Sequence, residues 1–179
     1  MQRLIALLLV AMGLAACVTA PPRARVDVPV LQLAPVALGH EIAWQQRLVF
    51  SFEGRTERVD GLLEVDASEV RLVLHRLGQI ALRLRWDGRS LEETRAPQLP
   101  DGLSADRILS DLQLVFWPLE SVRAGLPAGW SVAEREGVRD LRQGEELVAR
   151  IVRVSSRRAT LHQHRFGYRL EVESEAVPP

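Results

Sequence analysis

The chain has 179 residues, 47% hydrophobic and 26% charged, and its 23 basic and 23 acidic side chains cancel. That composition belongs to a globular chain rather than a disordered or fibrous one, and the neutral balance gives no footing for nucleic acid as a main partner. Every basic residue is Arg and Asn is absent, a bias that GC-rich coding explains more simply than phosphate recognition.

The chain opens with one positive residue, Arg3, followed by the apolar run Leu4 to Met12 and then Gly13-Leu14-Ala15-Ala16-Cys17. This is the layout of a signal peptide. The run is far shorter than the ~20 residues a permanent transmembrane helix needs, so it reads as a cleavable segment. Leu-Ala-Ala-Cys resembles the lipobox of bacterial lipoproteins, in which the thiol is acylated, with palmitate or a similar fatty acid, and becomes the new amino terminus. Cleavage by the ordinary peptidase after Val18-Thr19-Ala20 is the alternative, and it leaves no anchor. A lone Cys in an exported chain cannot form an internal disulfide, and acylation accounts for it. Val18 stands where inner-membrane-retained lipoproteins carry Asp, so the expected location is the periplasmic side of the outer membrane. Four prolines, Pro21, Pro22, Pro29 and Pro35, suit an extended tether. The expected division is a signal peptide over 1–16, a lipidated Cys17 with its tether over 17–36, and a single domain over 37–175.

From Trp44 the hydrophobic period becomes two, as in strands with one buried face. Leu48, Phe50 and Phe52 alternate with Val49 and Ser51. Val70, Leu72 and Leu74 alternate with Arg71, Val73 and His75, and after Gly78 come Ile80, Leu82, Leu84 and Trp86. Tight links between short strands imply an antiparallel meander. Asp87-Gly88 signals a hairpin, and Gly54, Asp66 to Ser68 and Gly144 mark further turns.

After Pro97 to Gly102 the period changes to that of a helix. Ser104 is the expected N-cap with Asp106 in the first turn, and Ile108, Leu109, Leu112, Val115 and Phe116 fall on one apolar stripe. Pro118 breaks the helix or starts a second over Leu119 to Leu126. Strands resume over Leu147 to Val154, Ala159 to Arg165 and Phe166 to Glu173.

Eight or so strands at about 4.8 Å spacing make a sheet nearly 40 Å wide, whereas one helix covers a strip of about 10 to 12 Å. The expected fold is therefore mainly β with a helical insertion: a curved antiparallel sheet, barrel or half-barrel, with the helix as a lid. Its interior is either filled by side chains or left as an apolar cavity.

Behind a lipobox, this meander with a helical insertion resembles the outer-membrane lipoprotein receptor LolB and the carrier LolA. The segment from Leu103 to Pro118 and the strand Gly167-Tyr168-Arg169-Leu170-Glu171-Val172 resemble an uncharacterised bacterial lipoprotein family near that superfamily. The likeness spans about Trp44 to Glu173. It implies a half-barrel that shelters acyl or polyene chains, since members are often associated with aryl polyene gene clusters, and a periplasmic carrier protein as a further partner. A protruding apolar loop like LolB's is not identifiable in the sequence.

For the site, Ile108, Leu109, Leu112, Val115, Phe116 and Trp117 are candidates for cargo contact or lid, with core packing as the plain alternative. Asp106 and Asp111, with Gln113, either hold the lid and polar cargo or lie solvated opposite the stripe. His162-x-His164 could offer two metal ligands, but nothing in the sequence completes the set, and no nucleophile elbow or phosphate loop occurs. The expectation is a non-catalytic, cofactor-free lipoprotein bound to the membrane through its anchor and carrying a hydrophobic ligand. A structural or adaptor lipoprotein with a packed barrel is the alternative.

Overall fold

The computed structural model describes residues 28–97 and 104–178. The expected signal-peptide segment and Cys17 lie outside the described residues, as does most of the segment from Pro97 to Gly102.

Ten strands form one antiparallel sheet: β1 (Ile42–Phe52), β2 (Arg55–Val65), β3 (Val70–Arg76), β4 (Gln79–Trp86), β5 (Leu91–Arg95), β6 (Trp130–Arg135), β7 (Val138–Gln143), β8 (Glu146–Ser155), β9 (Arg158–Gln163) and β10 (Tyr168–Ala176). Between β5 and β6 lie two helices, α1 (Ala105–Phe116) and α2 (Leu119–Ala124). The order across the sheet is β5-β4-β3-β2-β1-β10-β9-β8-β7-β6, so the first and last strands pair at the centre and the sheet curves without closing. This is a half-barrel with a helical insertion.

Turn chemistry sets the meander. Asp66 Oδ1 accepts from the amides of Ser68 and Glu69 at 2.7 and 2.9 Å, and Asp87 Oδ1 from those of Arg89 and Ser90 at 2.8 and 2.7 Å. Leu77 and Gly78 both have positive φ, 52° and 76°, the pattern of a two-residue type I′ turn.

The period-two reading holds along most strands, with outward Arg71, Arg85 and Arg169 paired to Glu64, Glu69 and Glu171 at 2.9, 2.6 and 3.0 Å. Ile80 is an exception. A register shift between Leu74 and His75 places the adjacent Ala81 and Leu82 in the interior and leaves Ile80 exposed. Phe166, expected to open the last strand, sits instead in the turn before it and is exposed.

A second departure concerns the segment expected as tether. Residues 28–34 are docked beside α1, and a 3-10 turn at Pro35–Leu38 leads into β1. Val28, Leu31, Pro35 and Leu38 are buried. The cause is a ladder of hydrogen bonds from the polar side of α1. Ser110 Oγ accepts from the Leu31 amide at 3.0 Å, and Gln113 brackets Leu33, accepting from its amide at 2.8 Å and donating to its carbonyl at 2.9 Å. Trp86 Nε1 also donates to that carbonyl, at 2.8 Å. This strap covers sheet that the area argument left to the helix alone, so less of the concave face stays open.

Candidate functional site

Helix α1 lies over the concave face and is fixed at both ends. At its start Ser104 Oγ accepts from the Arg107 amide at 3.4 Å, as expected of an N-cap. At its end the buried Arg139 of β7 donates to the carbonyls of Leu114 and Trp117 at 2.7 and 2.9 Å while Glu134 holds its Nε at 2.7 Å. Arg153 of β8 donates to the Val115 carbonyl. Two guanidinium groups thus satisfy the carbonyls that a helix leaves open at its C-terminus and face the negative end of its dipole.

Beneath the helix is a cavity of about 110 Å³ whose walls are almost wholly apolar. Ile108, Leu112, Val115 and Phe116 of α1 form its roof, and Leu48, Phe50, Leu72, Leu74, Leu82, Leu170 and Val172 of the sheet its floor. For scale, an engineered apolar cavity of about 150 Å³ holds a benzene molecule, and drug-sized ligands occupy about 300 to 1,000 Å³. The volume is that of a short apolar fragment, and room for a longer chain would require side chains to move.

Of the residues expected to contact cargo, Ile108, Leu112, Val115 and Phe116 line the cavity. Leu109 and Trp117 are fully buried and do not line it. The Trp117 indole reaches the strap instead, donating to the Ala34 carbonyl at 3.4 Å. Asp106 is exposed at the helix start, where its carboxylate accepts from Gln32 Nε2 at 3.2 Å. Asp111 is 6% exposed, lines the cavity, and accepts a hydrogen bond from the Tyr168 hydroxyl. Burial pushes its carboxyl up to about 6, against the opposing pull of the Tyr168 hydrogen bond and of Arg107. Burial and the neighbouring Asp111 push the Tyr168 phenol up as well. A second polar wall group is Gln46, whose Nε2 donates to Ser174 Oγ at 3.1 Å while its buried Oε1 has no partner among the described residues.

His162 and His164 stack with ring centroids 6.4 Å apart, and among the described residues no cluster of three or more His, Cys, Asp or Glu side chains could hold a metal. No helix among the described residues is long and apolar enough to cross a membrane.

One feature escaped the sequence reading. The hairpin tips at Phe52, Leu77 and Phe166 all lie at one end of the sheet, as the pairings Phe52 with Tyr168 and Asp60 with His75 require. Leu77 is 93% exposed there, with Phe52, Ile80 and Phe166 also open to solvent. The strap enters at the same end. Arg107 donates to the Val28 carbonyl at 2.8 Å and lies 4.9 Å from the centre of the Phe166 ring. The signal in the sequence was Leu-Gly at a turn where Asn-Gly or Asp-Gly is usual.

An open antiparallel half-barrel with a helix fixed over a small apolar cavity defines the class. The chain belongs to a family described as a protein of unknown function, DUF3261, whose model matches residues 43–176. Comparison with curated proteins gives no match.

Proposed function

We propose that this is a lipoprotein exported across the inner membrane, anchored to the outer membrane through an acylated Cys17, which binds an apolar chain beneath α1 without catalysis. The distant likeness to LolA and LolB, and to lipoproteins of aryl polyene clusters, belongs to the same reading, with acyl or polyene chains as cargo and a periplasmic carrier as donor. The observation that carries it is the cavity under α1, where thirteen apolar side chains converge with few polar groups. Such walls favour hydrocarbon at about 0.8 kcal/mol per buried methylene and offer a polar solute few partners. The Leu77 end, where the strap enters, then faces the bilayer. There an exposed leucine meets a medium as apolar as itself.

The reading is tested by mass spectrometry of lipids extracted from the purified full-length protein and by displacement of a bound fluorescent fatty acid. Saturable displacement that is lost in Leu112→Arg and weakened in Leu112→Phe supports it. The phenylalanine variant guards against misreading an unfolded protein, because overpacking costs only about 1 to 3 kcal/mol. Absence of displacement by any aliphatic competitor overturns it.

A specific observation favours a second reading. The cavity is small and α1 is held by the strap, Arg139 and Arg153, as in a packed structural or adaptor lipoprotein that binds a partner protein through its outer face. Native protein free of bound lipid and indifferent to fatty acid is the outcome that reading expects.

A further inference from the structure

A second and larger cavity, about 460 Å³, opens at the end of the sheet opposite Leu77. Leu38, Ile42, Trp44 and Ala159 supply its apolar surface, and it shares Val115 and Phe116 with the cavity beneath α1. Those two side chains are therefore the partition between the two spaces. Phe116 stands edge-on to Trp44 with ring centroids 5.2 Å apart and planes at 67°. It is the last residue of α1, followed by Trp117 in extended conformation.

The rim of the larger cavity is rich in donors: His40, Arg153, Arg157 and the hydroxyls of Ser155 and Ser156, with Glu41 as the one carboxylate lining it. Among the described residues the Arg157 guanidinium has no ion-pair partner. Arg153 gives one terminal nitrogen to the Val115 carbonyl and holds the other 4.0 Å from the Glu134 carboxylate, while its buried Nε is without a partner. Cationic forks above an apolar floor match a carboxylate or phosphate attached to a hydrocarbon chain.

We propose that the two cavities are one site for an amphiphile with a single aliphatic chain and an anionic head. The chain passes Phe116 into the space beneath α1, and the carboxylate or phosphate rests against Arg157 and His40, with the charge of Arg153 behind them. The inference rests on the reading that the inner cavity takes hydrocarbon, and it adds which end bears the head group and what charge that group carries.

The test is calorimetric titration of the full-length protein with decanoate, decyl phosphate and decanol, each below its micelle-forming concentration. Decanoate and decyl phosphate are expected to bind at least tenfold tighter than decanol, and their ratio tells which anion is preferred. Arg157→Glu is expected to bring both anions down to the level of decanol, whereas Arg55→Glu, at the far end of the sheet, leaves the preference in place. Phe116→Trp, which narrows the passage, is expected to weaken tetradecanoate at least tenfold, and Phe116→Ala to strengthen it. Equal affinity for the three probes, untouched by Arg157→Glu, overturns the head-group assignment and leaves the apolar-cavity reading standing. Tetradecanoate binding unaffected by either Phe116 variant overturns the shared passage. Failure of all three decyl probes to bind overturns both readings.

Discussion

The Tyr168 hydroxyl donates to the Asp111 carboxylate inside the wall of a predominantly apolar cavity. This joins the central strand β10 to the middle of α1 and puts an ionisable group where water is scarce. The Asp111 carboxyl is raised from 3.8 to about 6 in the folded protein, so the native state keeps its proton to higher pH than the unfolded chain does. Its contribution to stability is therefore full below about pH 4 and is lost as pH rises through about 6. The loss amounts to about 3 kcal/mol, at 1.36 kcal/mol per pKa unit. Asp111→Asn keeps an acceptor for Tyr168 without the charge. Urea unfolding of the two proteins is expected to show equal stability near pH 4 and an advantage for the variant above pH 6; parallel pH profiles would contradict this.

Arg139 poses the opposite case, a buried charge with every visible partner satisfied. Arg139→Met is expected to destabilise the protein by about 3 to 5 kcal/mol, because it removes the two bonds to the Leu114 and Trp117 carbonyls and leaves Glu134 without its closest cation. Glu134→Gln in the Arg139→Met background is expected to recover part of the loss. Thermal unfolding measures both.

The strap depends most on Gln113. Gln113→Leu removes a donor and an acceptor to Leu33, at about 0.5 to 1.5 kcal/mol for each bond, with more for any backbone group left buried and unpaired. Faster hydrogen exchange at the Leu31 and Leu33 amides, with the β1 and β10 amides unchanged, is the expected signature. Uniform acceleration across the sheet would mean that the strap and the sheet open together.

Cys17→Ser is expected to abolish incorporation of radiolabelled palmitate and to move the protein from the membrane to the soluble periplasmic fraction. Labelling that persists in the variant would remove the anchor from the reading.

The sequence made β1, β3, β4, β8, β9 and β10 legible because their apolar residues alternate cleanly. It hid β2, β5, β6 and β7. In β2 the first half is almost entirely polar, and in β5 four of the five side chains are polar. The turn at Gly54 was legible although the strand after it was not, whereas the hairpin at Glu136-Gly137 was missed, since there a non-glycine residue carries positive φ without the Asn or Asp that usually marks such turns. In the site, four residues of the stripe on α1, Ile108, Leu112, Val115 and Phe116, line the cavity. Gln113 reads from the sequence as either fixing the lid through hydrogen bonds or lying solvated, and its bonds to Leu33 decide for the first. The similar roles of Ser110 and Arg107 had no signal, because hydrophobic period cannot show that the chain's own backbone competes with water for the polar side of a helix. Arg139 could not be singled out among 23 arginines, since only tertiary packing distinguishes a buried one.

The pairing of β1 with β10 shapes how the molecule comes together. Trp44 faces Ala176 across that seam, while the hairpins on either side need only near neighbours in the chain. Each flank, β1 to β5 and β6 to β10, has local partners that zip early, and the central rung waits until the distant ends meet, a loop closure of the kind that slows folding. The two halves therefore form first and lock together in a single late step.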